Sequence, residues 1–403
     1  MKQDEILNYF NLNKKHIQQM RRDLHQIPEL GFNEVQTAAY IAEHLNALNI
    51  DFESGIGKTG IIAQIGKPSE NTIALRADMD ALPIQEENSS KYQSKKPGFM
   101  HACGHDAHVA MLLGIAEYLK SIANELNGQV LCVFQPSEER GDSNGISGAR
   151  HILRSGKLNN AKMILGMHVM SNLPAGRFGI IPEGAMASGD MFNAVIHGRG
   201  GHDAWAHETI DPIFITTQVL NAVYGIRSRK IDPLASCTLS IGTINGGTSA
   251  NIIPESVSLS GTLRTFDPKV REILVAELER ALKLSELFGG SYELELPIHQ
   301  PVTWNDPKLA DKVRQVCVGL FGEDSIAEIK PTLGVEDFSW YSLEMPALFI
   351  MLGAQLPGDI RPHHNPRFNI DDSILYKGSA LITASVLTLF KEMEIDNQKV
   401  NDK

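Results

Sequence analysis

A mostly parallel β-sheet covered by helices and interrupted by a small inserted α+β domain is the α/β architecture that this sequence predicts, and three observations predict it. Short apolar runs bounded by Gly, Pro or Asn alternate with helical segments early in the chain, the pattern of parallel strands joined by helical crossovers. Between Asp190 and Pro297 the order becomes β-α-β-β-α-β, that of a ferredoxin-like, split βαβ sandwich. At 403 residues the chain exceeds the size at which one core keeps growing, so two domains are expected. The expected division is a discontinuous domain of residues 1–188 and 298–403 with an insert of residues 189–297.

Taken in order, Lys15 to Gln26 and Val35 to Leu48 read as helices, the second with Ala38, Ile41, Leu45 and Leu48 on one face, and Ile27-Pro28-Glu29-Leu30-Gly31 separates them. Gly60 to Ile65 and Thr72 to Arg76 read as strands, the second leading into Ala77-Asp78-Met79-Asp80. A loop at Met100 to Asp106 opens a helix in which Leu112, Ile115, Ala116, Leu119, Ile122 and Leu126 recur at helical spacing until Asn127-Gly128 stops it. The strand Gln129 to Phe134 runs into Gln135-Pro136-Ser137-Glu138-Glu139, and the strand Met163 to Val169 carries His168 near its end. In the insert, strands are read at Met191 to His197, Cys237 to Thr243, Ser256 to Phe266 and Tyr292 to Leu296, with helices at Pro212 to Arg227 and Pro268 to Phe288. The first pattern resumes from Asp306, with Ala347 to Leu352 a buried strand, Asp372 to Lys391 the last helix, and a polar, frayed tail after Glu392.

The composition, 42% hydrophobic and 21% charged, is that of an ordinary globular protein. A net charge of -11 argues against nucleic acid or an anionic membrane as partner, since both demand a positive field. Neither a charged-then-apolar opening segment nor an uninterrupted apolar run of membrane-spanning length is read, so the cytoplasm is the expected compartment. The cysteines at 103, 132, 237 and 317 are far apart and without Cys-x-x-Cys pairing, which suggests neither a disulfide framework nor a zinc ribbon. Cys132, Cys237 and Cys317 read as core residues.

Ligands of parallel sheets collect outside the carboxyl ends of the strands. Asp78, Asp80, Glu138, Glu139 and His168 all fall at or near such ends. The stretch Met100 to His108 adds three histidines and one cysteine in nine residues, and a thiolate and an imidazole two positions apart in irregular backbone can face one ion. Each feature alone has a plainer reading: a buried free cysteine, a solvated glutamate pair, a structural histidine, an idle His363-His364 loop. Two divalent ions account for all of them together, because such a centre needs a bridging ligand, further histidines and carboxylates, and an unligated carboxylate as general base.

The motifs Arg-Ala-Asp-Met-Asp-Ala-Leu-Pro, Met-His-Ala-Cys-Gly-His-Asp-Ala-His, Gln-Pro-Ser-Glu-Glu, Gly-Met-His-Val, Asn-Ile-Ile-Pro, Gly-Val-Glu-Asp-Phe and His-Asn-Pro-Arg-Phe occur in that order. From about Arg21 to Leu389 the chain closely resembles the aminoacylase/carboxypeptidase family of binuclear metallohydrolases, in the branch of hippurate hydrolases, N-acetyldiaminopimelate deacetylases and auxin-conjugate hydrolases. The resemblance implies that Cys103, His105, Glu139, His168 and His364 bind two divalent ions, with Cys103 as bridge. It implies Glu138 as general base and Asp80 as the carboxylate orienting a ligand histidine. Asp78, His101, His108 and His363 are left as neighbours. The large domain is then catalytic and the insert a lid and dimer interface, whose His202, in Gly-Gly-His, stabilises the oxyanion. Asn251 and Arg264 are candidates for gripping a substrate carboxylate, with turn and edge-strand roles as the alternative. Asp203, Trp205 and Ala206 depart from the family pattern around His202.

The expected activity is that of a metal-dependent amidohydrolase cleaving N-acyl amino acids, in a cytoplasmic homodimer or higher homo-oligomer. A dipeptidase or carboxypeptidase of the same fold is the near alternative, with Asp203 as receptor for the ammonium group. A non-catalytic metal-binding scaffold is the distant one. A cysteine ligand leans toward zinc, while the imidazole and carboxylate set suits manganese, nickel or cobalt as well.

Overall fold

The computed structural model of the protein describes residues 3–401, the side chains of residue 298 and of residues 396–401 excepted. Two compact units divide the chain.

The larger unit, which runs to Glu183 and includes Trp304–Lys330 and the chain from Asp337 onward, is built on a seven-stranded sheet. With β1 (Asp51–Ile56), β2 (Gly60–Ile65), β3 (Thr72–Asp78), β4 (Gln129–Gln135), β5 (Met163–Pro174) and β6 (Phe178–Gly179), the order is β1-β2-β4-β3-β5, then the strand Ala347–Gln355, then β6. The four central strands are mutually parallel. Antiparallel pairs close both sides. Every residue of β3 and β4 is buried, as strands covered on two faces require, which is why they read as unbroken apolar runs rather than alternating ones.

The helix His105–Ser121 is buried almost all round, packing on β3 and β5 and against the helices Lys14–His25 and Leu375–Asn401. The last helix is long and apolar enough by composition to cross a membrane between Asp372 and Ile395, contrary to the sequence expectation. In this fold that apolar surface is core, with Leu375, Leu381, Val386 and Phe390 buried. It also continues through the expected tail to Asn401, because no glycine or proline intervenes to stop it.

Other departures have local causes. β5 extends to Pro174 because the parallel partner strand continues beside it to Gln355, so His168 lies within the strand rather than at its end. The edge strand β1 is mostly exposed and lacks an apolar run to reveal it. The helix Gln3–Leu12 shows only Ile6 and Phe10 as a buried i, i+4 pair, too short a signal to read from sequence.

The smaller unit comprises Gly184–Thr303 and Pro331–Glu336. Its sheet has the order Cys237–Gly246, Ser256–Thr265, Ser188–His197, Ser291–Gln300, antiparallel throughout. In chain order this is 2-3-1-4, the arrangement of a split βαβ sandwich. Asp211 before Pro212, and Asp267 before Pro268, accept backbone N–H groups and start the two helices, a proline in the first turn losing no hydrogen bond. The second helix breaks at Lys283 into Pro268–Leu282 and Leu284–Leu287, where one continuous helix was expected. The boundaries also lie outside residues 189–297. The strand Ser291–Gln300 runs past Pro297, and residues 331–336 are tied in by Thr332 N–H to Ala185 O (3.2 Å), Ala187 N–H to Thr332 O (3.1 Å) and the Arg264 guanidinium to Leu333 O (2.7 Å).

Candidate active site

Beyond β3 and β4, the chain turns so that five short segments of the larger unit meet. Leu82 pairs with Met100, which sets the loop holding Cys103. Gly104 follows with φ +91, and a Cβ there would stand 2.4 Å from Val169 Cγ2, so only glycine permits this turn. The helix then begins at His105, one turn-residue beyond the thiol.

Asp80 organises the surroundings. Its Oδ1 lies 3.2 Å from His105 Nδ1 and accepts the Glu138 N–H at 3.0 Å, while its Oδ2 accepts the Glu139 N–H at 3.1 Å. A proton held at His105 Nδ1 leaves the lone pair on Nε2, which is buried without a hydrogen-bond partner. His168 is arranged likewise: Nδ1–H donates to Val169 O at 2.7 Å, and Nε2 lies 3.4 Å from Cys103 Sγ. His364, at φ +58, donates its N–H to Ala102 O at 2.9 Å and brings Nε2 within 3.1 Å of Glu139 Oε1, an ion contact rather than an aligned hydrogen bond.

Two ligand triads result, Cys103–His105–His168 and Cys103–Glu139–His364, in each of which the candidate atoms lie within 4.8 Å of one another. They share Cys103. Nitrogen, sulfur and oxygen donors in this number suit divalent transition metals, and an orphaned buried His105 Nε2 is a group that demands a partner. The residues therefore fit two ions. The charge balance agrees. Burial, then Glu139 and Glu138, raises the Cys103 thiol well above its usual range. Burial opposes a charged His105, yet Asp78 and then Asp80 outweigh it and push the imidazole up to about 10. A pocket that takes up protons in this way is short of positive charge, and cations reverse that logic. His168, lowered by burial and then by His108 and His363, is held in the neutral state a ligand requires.

Residues 74–388 match the model of peptidase family M20/M25/M40. The chain belongs to this family. It is 39% identical over 90% of its length to thermostable carboxypeptidase 2 of Saccharolobus solfataricus, covering 92% of that protein. It is 36% identical over 95% of its length to the N-acetyl-L-cysteine deacetylase of Bacillus subtilis, covering 90% of that protein. Among solved structures it is similar to a Bacillus subtilis dinuclear metal binding peptidase of the M20 family, at TM-score 0.81 and 32% identity over 95% of this chain and 99% of that one.

Within this M20 chain three neighbours of the triads, Asp78, His108 and His363, are already hydrogen-bonded, whereas both ring nitrogens of buried His101 have no hydrogen-bond partner among the described residues. Asp78 accepts from Arg76 Nη1 at 2.7 Å and from His108 Nδ1 at 2.5 Å, and His108 Nε2 accepts the Val169 N–H at 3.0 Å. His108 has no lone pair to spare, while Asp78, with acceptor capacity left on both oxygens, also lies 3.6 Å through Oδ2 from His105 Nε2. His363 accepts the Ser171 N–H at Nε2 (3.3 Å), with Nδ1 3.8 Å from Cys103 Sγ. His101 is buried, neutral and lowered to about 4 by burial. The sequence reading missed Arg76 and Asp337 as functional residues. Arg76 bridges Asp78 and Asp337, whose carboxylate also accepts from Gln135 and Ala149 N–H, and whose own N–H reaches Glu138 Oε1 at 3.5 Å. Both stand inside the quoted motifs, which was the available signal. Changing Asp80 to Asn removes the negative acceptor that fixes His105 and both glutamates. Metal affinity is expected to fall roughly 10–100-fold, which titration of the metal-free protein would measure, and an unchanged affinity would remove Asp80 from this role.

In the smaller unit, His202 and Asn251 come together on neighbouring segments and Arg264 does not join them. His202 pairs with Ile252, and Asp203 N–H donates to Asn251 O at 3.4 Å. His202 Nδ1 lies 3.2 Å from Ala204 N and 2.9 Å from Asp203 Oδ1, and its Nε2 has no hydrogen-bond partner among the described residues. Trp205 stands edge-on to this ring at 5.0 Å. The Asn251 amide oxygen accepts from Ser249 Oγ at 2.7 Å. Arg264 lies near the end of an interior strand, paired with Gly189 on one side and Thr238 on the other, and donates from Nη1 to Leu333 O, so the expected edge-strand role does not describe it.

Proposed function

We propose that this chain is a metal-dependent amidohydrolase that cleaves an N-acyl amino acid into a carboxylate and a free amino acid. The observation that carries the reading is a pair of ligand triads sharing one cysteine, with a second glutamate beside them. The similarity to an N-acetyl-L-cysteine deacetylase supports the substrate class. Cys103, His105 and His168 would hold one ion and Cys103, Glu139 and His364 the other, zinc or manganese first, nickel or cobalt next. Such ions polarise a carbonyl and lower the pKa of an attacking water.

The remaining chemistry falls to side chains. The Glu138 carboxylate takes a proton from water as its oxygen bonds to the acyl carbon, then passes that proton to the departing nitrogen as the C–N bond breaks. Asp80, through the Glu138 N–H, holds the base in place. His202, from Nε2–H, is the proposed donor to the developing oxyanion, with Asn251 beside it to bind the substrate carboxylate. A homodimer through the smaller unit and a cytoplasmic location belong to the same proposal. The similarity to thermostable carboxypeptidase 2 favours a second reading, a peptidase in which Asp203 receives the substrate ammonium.

The test is hydrolysis of matched N-acyl amino acids and dipeptides by chelator-stripped protein, with zinc, manganese, nickel or cobalt restored singly. Metal-dependent release of amino acid from the acylated set is expected. Turnover of dipeptides alone would replace the proposal with the peptidase, and silence on both sets with two ions bound would replace it with a scaffold.

A further inference from the structure

Glu34 is a fully buried acid with no task in its own helix. It stands at the N-terminus of Val35–Ala47, where an acidic side chain ordinarily caps the exposed N–H groups, yet its carboxylate makes no cap hydrogen bond. Glu29 does that work instead, accepting Gln36 N–H at 2.8 Å and Thr37 N–H at 3.0 Å. The Glu34 carboxylate is sent across the fold: Oε1 accepts the Ser137 N–H at 2.8 Å, 103 residues away, and Oε2 accepts from Thr59 Oγ1 at 2.6 Å.

Ser137 is the residue on which the aim of the next two side chains turns. Its φ is +46, a conformation that non-glycine residues hold only when the surroundings enforce it. Three contacts enforce it here: Glu34 on its N–H, the Gly148 N–H on its carbonyl oxygen at 3.0 Å, and its own Oγ donating to Arg140 O at 2.8 Å. A side chain at Gly31 would meet Ser137 Oγ at 2.1 Å, so the turn is also packed from outside. Because the chain reverses there, the next two N–H groups both point at Asp80, and the carboxylates of Glu138 and Glu139 leave on the side of Cys103 and His105.

We infer that Glu34 is a positioning residue of the catalytic machinery, acting through Ser137 to aim Glu138 and Glu139. The inference rests on the proposed roles of those two glutamates. Asp80 holds the pair through the Glu138 and Glu139 N–H groups, and Glu34 holds the residue before them through the Ser137 N–H. Burial, and then Asp80, raise the Glu34 carboxyl to about 7. The hydrogen bond to Ser137 needs only an acceptor oxygen, which an amide supplies equally well.

Four variants, Glu34→Ala, Glu34→Gln, Glu34→Asp and Glu138→Gln, are compared for kcat, KM, bound metal and thermal midpoint with an N-acyl amino acid as substrate. Glu34→Ala is expected to lower kcat roughly 10–100-fold, the scale of a misplaced reacting group, with KM nearly unchanged. Glu34→Gln, keeping an acceptor at the same reach, restores most of that loss. Glu34→Asp, charged but one carbon short, does not. A Glu34→Ala protein with wild-type kcat would overturn the inference, as would a Glu34→Asp protein more active than Glu34→Gln, and that second comparison decides the matter if Glu34→Ala fails to fold. A merely structural role would lower the midpoint in all three without splitting kcat from KM. Glu138→Gln reads the underlying base assignment separately: if it turns over normally, that assignment fails whatever the Glu34 series shows.

Discussion

Glu138→Gln is expected to keep two bound ions and lose turnover by about 10²–10⁴-fold, the range ascribed to a positioned general acid or base, equivalent to roughly 3–5 kcal/mol of barrier. The two triads that share Cys103 are complete without Glu138, so removing its charge leaves the ligand atoms in place. Its backbone N–H still donates to Asp80, so the turn is undisturbed and only proton transfer is lost. KM should change little, since the base acts on the attacking water and the leaving nitrogen rather than on ground-state binding. Glu138 also stands in a third cluster with His105 and Glu139. Loss of one ion in Glu138→Gln would therefore place it among the ligands, and retained turnover would end its assignment as base. Measuring kcat and metal content on the same preparation separates these outcomes.

Cys103→Ala should reduce bound metal from two ions per chain to fewer than one, with turnover down by more than about 100-fold. The size follows from sharing. Removing a residue that merely orients a ligand costs about 10–100-fold in affinity or activity, and Cys103 is a direct candidate ligand in both triads. After its loss, His105 with His168 and Glu139 with His364 remain as separate pairs, too few donors for a tight site. Elemental analysis after dialysis against a weak chelator gives the stoichiometry. Two ions still bound would remove the cysteine from the ligand set and return it to the plainer role of a buried thiol.

Much of the site was legible before any fold was seen, because its residues sit in short contiguous motifs. Cys103 with His105, and Glu138 with Glu139, are two or fewer positions apart, and their placement in loops after apolar strands follows from composition. The choice of His364 came from the resemblance, and the structure brings its Nε2 to Glu139. Arg264 was the weakest reading, and the reason is physical: a guanidinium near the end of a strand looks the same in sequence whether it faces a ligand or a carbonyl such as that of Leu333. Glu34 could not have been found, since helix starts commonly carry acids and nothing local distinguishes one that caps from one that reaches elsewhere.

By itself the sequence determined most of the strand and helix pattern, the split βαβ insert, and the residue types able to hold metal, because periodicity and motif spacing are properties of neighbouring residues. Only the tertiary structure decided which groups are spent and which are free. Asp78 accepts from Arg76 and His108 while Asp80 accepts from His105 and the glutamate pair, two carboxylates two residues apart with different hydrogen-bond partners. Hydrogen bonds select partners by direction at about 3 Å, and direction at that scale is fixed by sheet register and by contacts between segments far apart in the chain, which no local pattern encodes.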